Sequence, residues 1–167
     1  EVIDRIDEQE ARGLFRITDN DMHITYGQNT IQAHGFRASS GSHSAKLKSL
    51  ASYNTVWIEE AEEIGEKEFT TLDDTLRTVK GEIRIILTLN TPAKNHWIIR
   101  KWFDLEPAEA EGFYIPKAKK GIVYIPGTFR DNLQNLDDDT VGRYQRYKEN
   151  KPTYYWQYIE GLSPEVV

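Results

Sequence analysis

Thr55-Val56-Trp57-Ile58-Glu59-Glu60 is the stretch from which the rest of the chain is read. Its first four residues form a short, apolar, β-branched run of the kind that predicts a strand buried on both faces, and the run ends abruptly in two carboxylates. Downstream, Phe69, Leu72, Leu76 and Val79 recur at spacings of three and four, which predicts a helix, and Gly81 ends it. Residues 83–89 then give a second buried strand. Strand, helix and strand of these lengths predict a βαβ unit with parallel strands and a right-handed crossover.

Upstream of this unit, residues 1–13 read as the end of an amphipathic helix. Residues 22–26 and 30–36 flank Gly27-Gln28-Asn29 and predict a hairpin with a three-residue loop. Residues 39–42 read as a loop and 45–50 as a short helical turn. Downstream, residues 96–103 carry Trp97, Ile98, Lys101 and Trp102 at helical spacing, an apolar-aromatic stripe that reads as core. Pro107, Gly112, Pro116 and Gly121 mark 106–121 as loop-rich. Residues 122–125 predict a third buried strand. Residues 137–148 and 153–160 predict two helices joined at Asn150-Lys151-Pro152, with Asp137-Asp138-Asp139 as an N-terminal cap. The expected fold is α/β: a mostly parallel sheet flanked by helices, a peripheral hairpin and a small C-terminal helical subdomain.

Bulk properties fit one domain, or one domain with a small appendage. The chain has 167 residues, 38% of them hydrophobic, with 4 Trp, 9 Tyr and 6 Phe, which is sufficient for a core. It has no cysteine, which excludes disulfides and thiolate metal sites, and the four histidines are too scattered for a zinc site. No apolar run reaches membrane-spanning length. The net charge of −6 argues against a generic basic nucleic-acid binder. The charge is nevertheless uneven: residues 22–58 contain no Asp or Glu but include Arg37, Lys46, Lys48, His23, His34 and His43.

Ligands of open parallel sheets bind beyond the carboxyl ends of the strands. Here those ends are Ile58-Glu59-Glu60 and Leu87-Thr88-Leu89-Asn90. As neighbours, they would bring two carboxylates, a hydroxyl and an amide to one edge, which is what a P-loop nucleotidase needs opposite its phosphate loop. Successive strand residues point to opposite sides, so Glu59 is assigned to the Mg²⁺ shell, through water, and Glu60 to the attacking water. Thr88 and Asn90 share a face and can couple the γ-phosphate to motion. The plainer alternative is a pair of acids that favour the positive end of the following helix. The phosphate loop itself is missing. Its nearest candidate, Gly41-Ser42-His43-Ser44-Ala45-Lys46-Leu47-Lys48-Ser49, has Leu47 where a glycine must let backbone amides wrap the phosphates.

Taken in order, Lys46-Leu47-Lys48-Ser49-Leu50, Val56-Trp57-Ile58-Glu59-Glu60-Ala61, Leu76-Arg77 and Ile86-Leu87-Thr88-Leu89-Asn90 resemble the PBSX-type phage terminase large subunits. His96-Trp97 and Thr128-Phe129-Arg130-Asp131-Asn132 are similar to that family's later motifs. The resemblance spans about 25–161. It implies a RecA-like ATPase sheet, incomplete at its N-terminus, over residues 1–132. Residues 133–167 become a helical linker subdomain leading to an RNase H-like nuclease, whose carboxylates are expected downstream of Val167. It further implies that Glu59 is the Walker B acid, Glu60 the catalytic glutamate and Thr88-Leu89-Asn90 the coupling motif, with ATP and Mg²⁺ as cofactors.

The partners it implies are double-stranded DNA, the portal protein, the small terminase subunit and further copies in a ring, in the cytoplasm of the infected bacterium. The chain departs from the family's pattern at Thr91, which stands between Asn90 and Pro92 where Asn and Pro are normally adjacent. The phosphate loop is expected upstream of residue 1, so that this chain alone binds ATP poorly. Arg77 reads as an exposed helical arginine or as a trans-acting one. Arg37, Lys46 and Lys48 read as contacts to DNA or to a neighbour's nucleotide, or as a solvated loop. The alternatives in function are a non-catalytic interaction module of P-loop fold and another RecA-like nucleic-acid motor.

Overall fold

The computed structural model describes residues 2–18, 22–35, 49–77 and 81–165. Arg37, Lys46 and Lys48 lie outside these residues, as do Phe36 and Val79. The chain divides into two compact units, residues 1–43 and 44–167.

The first unit begins with α1 (Val2–Glu8) and continues into an antiparallel sheet of β1 (Arg16–Thr18), β2 (His23–Tyr26) and β3 (Asn29–Gln32). The expected hairpin is present, but Tyr26 pairs with Asn29, so its loop is the two residues Gly27 and Gln28 rather than three. Gly27 has φ 57°, the left-handed conformation that such tight loops require. β1 was not anticipated, being only three residues long. Among this unit's described residues Ile24 is the buried apolar one, and the Phe15 and Tyr26 rings lie 5.4 Å apart.

In the second unit, β4 (Thr55–Ile58) and β5 (Arg84–Leu87) pair in parallel, with Thr55 opposite Arg84 and Ile58 opposite Leu87. The helix between them is α2 (Glu66–Thr75). It ends at Thr75 rather than at Gly81, and Phe69 and Leu72 on it and Leu76, its extended C-cap, are all 5% exposed or less. Phe69 packs at 5.1 Å against both Trp97 and Trp102, which lie on α3 (Trp97–Trp102). Each such aromatic pair contributes about 0.5–1.5 kcal/mol beyond its buried area. This tryptophan stripe is core, as expected.

Three expectations are corrected. The β4–β5 pair is not buried on both faces: Trp57 and Ile86, opposite each other, are 66% and 47% exposed. Val56 and Ile58 point inward, so each strand alternates and the sheet is covered on one side only. Residues 122–125 form no strand, and Val123 and Ile125 stand in solvent. Among the described residues no strand pairs with this apolar run, and without a ladder its composition does not make a strand.

Residues 106–121, read as loop, contain instead a hairpin of β6 (Phe103–Pro107) and β7 (Phe113–Ala118), joined by β8 (Ser163–Pro164). The prolines are accommodated by register. Bonds from Ala108 N to Phe113 O and from Lys119 N to Trp102 O frame the ladder. Pro107 and Pro116 therefore fall on the alternate pairs, where the backbone nitrogen points away from the partner strand and needs no hydrogen.

The chain closes with α4 (Asp138–Asn150), α5 (Pro152–Tyr154) and a π-helical turn, Tyr155–Ile159. Asp137 caps α4 by accepting from Thr140 N at 2.7 Å, and this bond holds its carboxyl below the usual carboxylate range. Of the four aromatics in residues 154–158, Tyr155 is buried, whereas Tyr154 and Tyr158 are about half exposed.

Candidate functional site

Beyond the ordered pairs, Thr88 extends the β4–β5 ladder. Its N–H donates to Ile58 O and its carbonyl accepts from Ala61 N, both at 3.0 Å. A regular parallel ladder would use Glu60 N for the second bond, one residue earlier. The Glu59-Glu60 segment therefore carries an extra residue, and the bulge is taken up by Glu60 in the left-handed conformation, φ 51° and ψ 45°. Bulges of this kind re-aim side chains at the ends of strands, and left-handed backbone at a non-glycine residue costs on the order of 1 kcal/mol or more. Strand alternation stops at Ile58, so it is this turn that orients the two carboxylates.

Glu59 and Glu60 are both exposed, and among the described residues no side-chain hydrogen bond or ion pair engages either. The neighbouring polar groups are committed. Thr88 Oγ1 accepts from Trp57 Nε1 at 3.1 Å and donates to Ile58 O at 3.4 Å. Asn90 turns to Glu62, whose Oε1 accepts from Asn90 N at 3.2 Å and from Nδ2 at 2.9 Å. Glu62 Oε2 is buried without a partner.

His96 completes the cluster. Its Nδ1 accepts from Ile98 N at 3.3 Å, capping α3, so the proton resides on Nε2, which faces Glu62 O at 3.2 Å. Burial pushes the His96 pKa down, partly opposed by the Glu62 carbonyl, which favours the protonated ring. Trp97 Nε1 donates to Ile64 O at 2.8 Å and ties the same turn to α3.

A cleft of about 290 Å³ opens beside this cluster, lined by Glu62, Asn90, Thr91, Asn95, His96 and Gln157 among others. Glu59, Glu60 and Thr88 are not among its lining residues. Sequence reasoning missed Glu62, because it sits in the acidic run that continues past Glu60. The signal available was chemical: an asparagine at a strand end needs an acceptor, and Glu62 is close in the neighbouring turn.

Among the described residues no group of three or more His, Asp or Glu side chains is arranged to hold a metal ion. Two adjacent carboxylates without partners among the described residues suit a different mode, in which a hard cation keeps its waters and takes its other ligands from a phosphate. Arg77 lies just beyond α2 rather than on it. Its backbone N–H reaches Ala51 O at 3.4 Å, and its Nε donates to Asp74 O at 2.8 Å. A cation on the last carbonyls of a helix is a common terminal arrangement.

Arg130, in the Thr128–Asn132 motif, grips Glu160 through both oxygens at 2.6 Å and reaches Tyr155 Oη at 3.3 Å. Tyr155 Oη also donates to Glu160. The Arg130 bond holds the Glu160 carboxyl below its usual range and raises the guanidinium's own pKa.

A solved structure of the large terminase from a thermophilic bacteriophage is similar in fold, with a TM-score of 0.61 and 18% sequence identity. The similarity covers 95% of this chain and 36% of that one, so the chain spans just over a third of that protein's length. No curated protein sequence matches. A family model described as phage terminase large subunit matches residues 2–162, nearly the whole sequence, and the chain belongs to that family.

Proposed function

We propose that this chain supplies the hydrolytic side of the ATPase centre in a phage DNA-packaging motor. The observation that carries the proposal is the juxtaposition at the end of the parallel pair. The Ile58–Thr88–Ala61 ladder holds the Glu59-Glu60 turn beside the strand that leads to Asn90. Membership of the terminase family gives the phage packaging role; the chemistry proposed here is finer.

Glu59 would hold the Mg²⁺ ion, and Glu60 orients the attacking water and accepts its proton. Bound Mg²⁺ would neutralise the charge developing on the phosphate oxygens. Asn90, held by Glu62, registers the state of the terminal phosphate. The β4–β5 pair forms part of a larger RecA-like sheet, whose phosphate loop the 167 residues do not contain. Residues 1–132 serve the ATPase and 133–167 the connection to the next domain. The motor's partners are double-stranded DNA, portal, small subunit and further copies of itself in a ring, in the cytoplasm of the infected bacterium. Among the described residues no helix is long and apolar enough to cross a membrane.

A non-catalytic interaction module is the competing function, favoured by the position of Glu59 and Glu60 outside the cleft. The test is nucleotide binding by the intact large subunit. Tight binding of Mg-ATP that Glu60→Gln leaves nearly intact supports the ATPase; no binding by the wild type supports the module.

A further inference from the structure

Among the described residues, the segment that leaves β5 is fastened to residues 157–165 by five hydrogen bonds, one of them from Lys94 Nζ to the Glu165 carboxylate. Thr91 Oγ1 donates to Gly161 O at 2.8 Å, and Gln157 Nε2 donates to Thr91 O at 3.0 Å. Ser163 Oγ donates to Pro92 O at 2.7 Å, and Lys94 N donates to Pro164 O at 2.9 Å. The groups involved are not casual surface contacts. Gln157 is 5% exposed and Ser163 0%, so each buried polar side chain has its partner in this one segment. Gly161 has φ 72°, a turn that a residue with a side chain would adopt only under strain.

We infer that Thr91 and Gln157 are positioning residues that carry movement of Asn90 to the C-terminal segment, residues 157–165. The inference rests on the ATPase reading above for what moves Asn90. Its own content is the physical linkage. Asn90 is bonded on one side to Glu62, in the turn that follows Glu60. The next residue is bonded through both its hydroxyl and its carbonyl to the π-helical turn and Gly161. A displacement of Asn90 away from Glu62 therefore pulls on Gln157 and Gly161 through Thr91. Thr91, the residue that separates Asn90 from Pro92, supplies two of these bonds. Neither residue touches the reacting groups.

The test uses the intact large subunit with Thr91→Val, which keeps the shape and removes the hydroxyl, and Thr91→Ser, which restores it. Hydrogen exchange is read at Leu162 and Glu165, whose amides donate to Trp156 O and Gly112 O. ATP turnover and DNA translocated per ATP are measured alongside. Thr91→Val is expected to speed exchange at both amides and to lower DNA moved per ATP by about fivefold or more, with hydrolysis within about twofold of wild type and Thr91→Ser restoring both.

Unchanged exchange, or unchanged translocation per ATP in a protein whose wild type hydrolyses, overturns the linkage alone. Equal loss of hydrolysis and translocation that Thr91→Ser does not rescue marks Thr91 as merely structural and also overturns it. A wild type that hydrolyses no ATP overturns the ATPase reading and the coupling role with it, whatever the exchange data show.

Discussion

Replacing Glu62 with alanine removes the acceptor on which Asn90 depends. Two bonds converge on Oε1, from the Asn90 N–H at 3.2 Å and from Nδ2 at 2.9 Å. A hydrogen bond to an ionised group contributes about 1.5–3 kcal/mol when it is buried. Both contacts are exposed to the cleft, where water can replace the lost oxygen, so the cost falls towards about 1–2 kcal/mol. Part of that is offset, because Oε2 is buried without a partner and its desolvation disappears with the side chain.

The side-chain share is isolated by a double-mutant cycle with Asn90→Ala, for which a coupling of about 1 kcal/mol is expected. Urea unfolding followed by tryptophan fluorescence suits the measurement. All four tryptophans, at 57, 97, 102 and 156, lie in the unit formed by residues 44–167 and report on it alone. Additivity of the two single substitutions within about 0.3 kcal/mol would refute the Glu62–Asn90 connection.

Two further predictions concern pH. Burial lowers the His96 pKa in the folded chain, so the unfolded chain takes up the proton first. Stability is full above the ordinary histidine value and falls as pH drops through the lowered folded one. His96→Asn keeps a capping side chain and should flatten that loss as pH falls below the ordinary histidine value; equal slopes for the two proteins contradict it. At Glu160 the folded pKa is lowered by the Arg130 bond, so its stabilisation is present above the unfolded carboxylate value and is lost as pH falls through the folded one. Arg130→Ala should remove this acid-side loss and cost about 1 kcal/mol near neutral pH, a figure reduced for solvent screening because the Arg130 side chain is 50% exposed. Denaturant midpoints measured at several pH values check both.

The parts of this protein legible in the sequence are those whose patterns are local. The run 55–58 became β4 with its predicted boundaries, and the spacing of Phe69 and Leu72 marked the buried face of α2. Asp137 was recognisable as a cap because its partner lies three residues away. What escaped depends on partners distant in sequence. Pro107 and Pro116 argue for loop until the register shows that their nitrogens face away from the paired strand. Val123 and Ile125 have strand composition but no ladder among the described residues.

At the candidate site, the acidic pair was visible, whereas the left-handed turn at Glu60 that aims it was not. Glutamate gives no hint of positive φ; only the displaced bond from Ala61 to Thr88 reveals it. Gln157 and Ser163 look like ordinary polar residues until their burial shows that each must find an acceptor, and that acceptor lies at or beside Thr91.

The most direct test compares Glu60→Gln and Glu62→Gln for single-turnover ATP hydrolysis in the intact large subunit. Glu60 is exposed and unengaged among the described residues, whereas Glu62 is occupied with Asn90. The predicted result is a loss on the order of a hundredfold or more for Glu60→Gln and less than about tenfold for Glu62→Gln, which retains an oxygen for Asn90. Surviving hydrolysis in Glu60→Gln together with its loss in Glu62→Gln would contradict the account and move the catalytic carboxylate into the cleft.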